Sequence, residues 1–179
     1  MRERGGDRLA DAAARPGHDR DLSVQAARGR SGRAGCVRHA RFSRSHTLTF
    51  RIVRTLRVAG LVEPISHFSD AVVAGKTLYV SGLVATDERG EVVGQGDVVE
   101  QTRQIFRNLR RVLDAAGAAP SDVAKVTIFM RDVAQRPLIN PLRQEFFGEH
   151  RPASTLVEVS RLVRDDLLLE IEAIAELPD

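Results

Sequence analysis

The chain has 179 residues, 42% of them hydrophobic and 28% charged, with one cysteine, no tryptophan and a formal net charge of +3. A domain of roughly 130 residues buries about two-thirds of its unfolded surface and holds a core without metals or disulfides. Cys36 has no intrachain partner, no Cys/His cluster has the spacing of a structural zinc site, and no apolar run nears the roughly 18 residues of a membrane span. A soluble, cytoplasmic protein with no membrane partner is therefore expected.

The charge is unevenly placed. Residues 1–50 carry 11 Arg against 5 acidic residues, a net of +6, whereas residues 51–179 carry 16 basic and 19 acidic residues, a net of −3. The basic segment lacks periodicity and holds only scattered apolar residues such as Leu9, Leu22 and Val37, too few to offset the entropy of ordering. Three readings stay open for it: a disordered Arg-rich extension, a transit peptide, or upstream sequence translated from an over-extended gene start. Asp7, Asp11, Asp19 and Asp21 weigh against the transit peptide, because such segments are poor in acids. A functional start near Val53 is expected, with one domain over residues 51–179.

From Arg51 the texture changes. Val53, Leu56 and Val58, and then the segment Ala71 to Val84, are rich in β-branched and apolar residues, with a hairpin turn at Ala74-Gly75-Lys76 and a second turn at Asp87-Glu88-Arg89-Gly90. Asp97, with Glu100 three residues on, has the spacing of a capping box and predicts a helix over about 98–116. Its apolar face would carry Val98, Thr102, Ile105, Phe106, Leu109, Val112, Leu113 and Ala116, with Arg103, Arg107, Arg110 and Arg111 in solvent and Gly117 ending it. Val123 to Met130 alternates as a strand. Asn140-Pro141 reads as the cap and first residue of a short helix through Phe147, stopped by Gly148. Two closing strands follow, about Ala153 to Val159 and Leu167 to Ala175; on the second, Leu169, Ile171, Ala173 and Ala175 share one face, and Glu170 and Glu172 the other. Tyr79 and Phe106 read as core residues. The order strand, strand, helix, strand, helix, strand, strand predicts an α+β mixed sheet with two helices on one face.

Several segments, in order, resemble the Rid (YjgF/UK114) family: His67-Phe68-Ser69-Asp70-Ala71-Val72, Leu78-Tyr79-Val80-Ser81-Gly82, Glu100-Gln101-Thr102-Arg103-Gln104, Asn108-Leu109, Phe146-Phe147-Gly148, and Glu158-Val159-Ser160-Arg161-Leu162 with Glu170-Ile171-Glu172-Ala173-Ile174-Ala175. The resemblance spans about residues 60–177. It implies a chorismate-mutase-like fold, a homotrimer with pockets between subunits, and cofactor-free hydrolysis of a reactive enamine or imine to a carbonyl product and ammonia. By position it makes Glu170 the water-positioning carboxylate, Ser81 and Gly82 strand-end pocket residues, and Asn140 a pocket residue on a helix. Phe68 stands where the family often has tyrosine and so lacks a hydroxyl. On pattern alone, Glu170 is equally an exposed strand glutamate, Ser81-Gly82 a plain strand end and Asn140 a helix cap.

The main departure is Ser154, in Pro152-Ala153-Ser154-Thr155, where deaminases of the family read Pro-Ala-Arg-Ser. A serine hydroxyl does not reproduce the planar two-point grip of guanidinium on carboxylate. Loss of a charge-assisted bond of roughly 1.5 to 3 kcal/mol corresponds to about 10- to 150-fold in affinity, so the expected substrate is not a standard 2-imino acid. Arg151 and Arg161 are the cations considered as replacements. A non-catalytic small-molecule-binding trimer is the alternative. RNA cleavage ranks last, because residues 51–179 are net acidic and poor in aromatics for base stacking.

Overall fold

A computed structural model describes residues 53–179; the expectations for residues 1–50 lie outside the described residues. The elements are β1 (Val53–Leu56), β2 (Ala71–Ala74), β3 (Thr77–Leu83), α1 (Val98–Ala116), β4 (Val123–Met130), α2 (Arg136–Phe147), β5 (Ala153–Glu158) and β6 (Leu169–Glu176). They form one six-stranded sheet of order β1-β2-β3-β6-β4-β5, antiparallel throughout except for the parallel pair β4–β5. The expected α+β architecture is present, with β1 as an additional edge strand.

The period-2 pattern settles which face each strand buries. Val73, Leu78 and Ala175 lie in one cross-strand row, and Ala71, Val80, Ala173 and Val126 in the next. All are buried in the core that also receives Ile105, Leu109 and Leu113 of α1 and Ile139, Leu142 and Phe147 of α2. A fully buried Leu or Ile contributes about 1.5–3 kcal/mol, so this layer supplies much of the drive to fold. The opposite face carries Val72, Tyr79, Glu172 and Thr127. Tyr79 is 47% exposed there, correcting its expected place in the core, because strict alternation sets it between the buried Leu78 and Val80. Phe106 is buried as expected and stacks on Phe146 with ring centroids 4.7 Å apart.

Helix α1 starts and stops where expected. The Asp97 carboxylate accepts from the Val99 and Glu100 N–H groups, and Gly117, at φ 75°, donates its N–H to the Asp114 carbonyl. The reciprocal half of the capping box is not formed: the Asp97 N–H already bonds the Gly94 carbonyl, and Glu100 turns to Arg103 instead. Helix α2 corrects the reading of Asn140-Pro141. It begins at Arg136 with Pro137 in its first turn, so Asn140 is an interior residue rather than a cap and Pro141 lies inside the helix. An internal proline costs about 3 kcal/mol in an isolated helix; burial of Ile139, Leu142 and Phe147 offsets it.

Candidate functional site

The register of β3 against β6 slips between Val80 and Leu83, which pair with Ala173 and Ile171. Three steps on β3 thus match two on β6, a bulge centred on Ser81 and Gly82. The displaced Ser81 is held from outside the ladder: its N–H donates to the Asp70 carbonyl at 3.1 Å and its hydroxyl to the Ser69 carbonyl at 2.6 Å. Asp70, buried, accepts from the Val58 N–H at 2.7 Å and pairs with Arg57. These bonds fix the loop that presents Phe68, which is 52% exposed. Phe68, Ser81, Gly82, Val163, Arg164 and Glu170 contribute to the walls of a cleft of 490 Å³.

Glu170 lies across the bulge. A Cβ on Gly82 would sit 1.7 Å from Glu170 Oε1 and 2.7 Å from Cδ, so only glycine leaves room for the carboxylate there. Burial, and secondarily the neighbouring Glu172, push the Glu170 carboxyl above the usual carboxylate range. Among the described residues it forms no ion pair; Arg164, in the same cleft, is committed to Asp166 at 2.6 Å and to the Gly90 carbonyl. The approach to β6 is fastened from α1: the Gln101 amide donates to the Asp166 carbonyl and accepts from the Leu168 N–H, both at 2.8 Å. Gln104 and Asn108 hold the other side of the cleft through the Thr86 carbonyl, each at 3.0 Å.

Asn140 and Ser154 stand apart from this cluster. Ser154 pairs with Val126, which pairs with Ala173, and so belongs to the helix-facing side of the sheet. Glu170 pairs with Phe129 on the other side. β3 and β5 are separated by β6 and β4, about 14 Å at ordinary strand spacing. A single protomer therefore brings together Phe68, Ser81, Gly82 and Glu170, and separately Asn140 and Ser154. The second group borders a hollow of 650 Å³ between α2 and the start of β5, which Asn140, Arg143 and Arg151 help to line.

Arg143 is the residue that sequence reasoning missed. Its Nη2 donates to Ser154 Oγ at 2.8 Å, so a guanidinium from α2 reaches the position where strand residue Ser154 offers none. Of the two replacements considered, Arg151 lies ahead of β5 in the same hollow, and Arg161 lies beside Glu170 and pairs with Asp165. The available signal was helical spacing: Asn140 and Arg143 are one turn apart on a common face. Reading Pro141 as a helix start hid it.

Residues 60–177 match the family model described as Endoribonuclease L-PSP, and the chain belongs to this family, the Rid/YjgF family. The chain is similar to two kinds of deaminase. One is 3-aminoacrylate deaminase RutC of Acinetobacter baylyi, with 38% identity over 118 residues, covering 66% of this chain and 93% of the relative. The other is 2-iminobutanoate/2-iminopropanoate deaminase of Dermatophagoides farinae, with 38% identity over 112 residues, covering 63% and 87%. Among solved structures, the putative endoribonuclease of Thermotoga maritima superposes with a TM-score of 0.66 at 37% identity, covering 70% of this chain and 98% of that one. No helix among the described residues is long and apolar enough to cross a membrane.

Proposed function

We propose that the protein is a hydrolytic deaminase of reactive enamines and imines. The observation that carries this reading is Glu170: a half-buried carboxylate without an ion-pair partner among the described residues, its pKa raised, in a cleft walled by Phe68, Ser81 and Gly82. A carboxylate of this kind, more basic than an ordinary glutamate, holds a water and takes its proton. Water adds to the imine carbon as Glu170 accepts a proton, and the carboxyl returns that proton to nitrogen to give the carbinolamine; Glu170 then takes the carbinolamine hydroxyl proton and passes it to nitrogen as the C–N bond breaks, so that ammonia leaves and the oxygen becomes the carbonyl. Water is the sole co-reactant, and no cofactor enters. The names of the two deaminase relatives support this class of reaction.

The two residue groups on opposite sides of one sheet further support a site shared between copies of the chain, Glu170 and Gly82 from one and Asn140 and Ser154 from the next. A homotrimer with three such sites is the proposed assembly. Light scattering over a range of concentrations should give three protomers per particle, and a stable monomer that retains activity would remove the basis for a shared site.

The reaction itself is tested by measuring ammonia and carbonyl release from a panel of imines generated in situ, with and without carboxylates. Turnover of at least one is expected. A trimer that binds such compounds but accelerates none would instead be the non-catalytic binding protein. The RNA reading has less support: Arg103 faces Glu100 and Glu145, Arg107 bonds Gln104, and Arg111 bonds Asn108 and the Gly60 carbonyl, so these helix arginines are engaged within the protein.

A further inference from the structure

We propose that Arg143 is the anion-recognising residue of this site and that the substrate accordingly carries a carboxylate. The inference rests on the deaminase reading above and reverses the substrate expected from Ser154 alone. A guanidinium presents five N–H donors in a planar fork. In Arg143 only an Nη2 N–H is engaged among the described residues, by Ser154 Oγ at 2.8 Å, and no acidic side chain lies within ion-pair distance. Its Nε is buried and, among the described residues, has no hydrogen-bond partner. Buried donors are normally paired, so an orphan of this kind beside a hollow marks a place for an acceptor the chain itself does not supply.

The surroundings favour an anion. Burial, and then the like charge of Arg136, press on the charged form of Arg143 and pull its pKa down. A bound carboxylate relieves both effects. Ser154 becomes intelligible in the same terms: a short side chain leaves space for a guanidinium arriving from α2 and steers it through one hydrogen bond. Asn140, one turn before Arg143 and lining the same hollow, adds a neutral amide to the acceptor's surroundings.

The test uses the full chain and an unreactive carboxylate, 2-oxobutanoate, with 2-butanone as its uncharged counterpart. Binding is measured by calorimetry alongside kcat and KM for 2-iminobutanoate and for an imine without carboxylate. The wild type should bind 2-oxobutanoate and not 2-butanone. Arg143→Met should weaken that binding by about 10- to 150-fold, the range for one lost charge-assisted contact, and raise KM for 2-iminobutanoate while leaving the uncharged imine within about threefold. The double variant Arg143→Met/Ser154→Arg should recover binding by moving the guanidinium to the strand.

Unchanged carboxylate binding in folded Arg143→Met overturns the proposal, as does failure of the wild type to bind 2-oxobutanoate. Should Arg143→Met not fold, Arg143→Lys is read in its place; it keeps the charge but not the fork, and unaltered affinity there has the same force. The two readings fail separately. Carboxylate binding through Arg143 without ammonia release from any imine removes the deaminase and leaves the anion site, whereas rapid hydrolysis of 2-iminobutanoate by Arg143→Met with unaltered KM does the opposite.

Discussion

Glu170→Gln is expected to slow imine hydrolysis by about 10²- to 10⁴-fold, the usual contribution of a general acid/base group, while the protein stays folded and gains stability at neutral pH. The amide keeps the shape of the carboxyl but accepts no proton from water. The stability change follows from the raised pKa of Glu170, caused by burial first and Glu172 second. A folded-state pKa above the unfolded one means stability that is fully present below the unfolded pKa and lost as pH rises through the folded pKa. Well above the unfolded pKa the buried carboxyl is thus a net cost to the fold, which glutamine removes. Urea denaturation should find the variant more stable than the wild type at pH 7, with the gap closing below the pKa of an ordinary glutamate. Activity of the wild type should fall with acid at a higher pH than an unperturbed glutamate would give, because the ionised form is the one that accepts the proton. Full activity in the glutamine variant would show that another group activates the water.

Gly82→Ala should cost about 10²-fold in kcat with little change in stability. The added methyl would lie 1.7 Å from Glu170 Oε1 and 3.1 Å from Cγ, so the side chain must swing away. What moves is the end of a flexible side chain, which keeps the cost to the fold small, but a displacement of about 1 Å in a catalytic group is enough for a loss of this size. The two substitutions should not add. In the Glu170→Gln background, Gly82→Ala should lower the rate little further, since the group it displaces no longer works. A multiplicative loss in the double variant would mean that Gly82 acts on the substrate directly.

The elements with strong periodicity were legible. The apolar face of α1, the Asp97 cap, the Gly117 stop and the alternation of β4 and β6 each follow from local chemistry that the fold then uses. Two readings failed because tertiary burial or alternation overrode a local cue: Pro141 sits inside a helix anchored by Ile139 and Leu142, and Tyr79 points away from the core its neighbours fill. The site was half legible. Alternation alone sets Glu170 on the face opposite Leu169 and Ile171, but no pattern in the chain tells that β6 and β4 come between β3 and β5. For the same reason the meeting of Arg143 with Ser154, eleven positions apart on a helix and a strand, is a product of packing.

The Gln101 clasp sets which part of the β6 approach survives a change of solvent. It joins α1 to the approach of β6 through neutral amides alone, so neither added salt nor a change of pH weakens it at the source. Of the contacts that hold the approach to β6, the Gln101 pair should therefore persist in acid that protonates Asp166 and breaks its ion pair with Arg164.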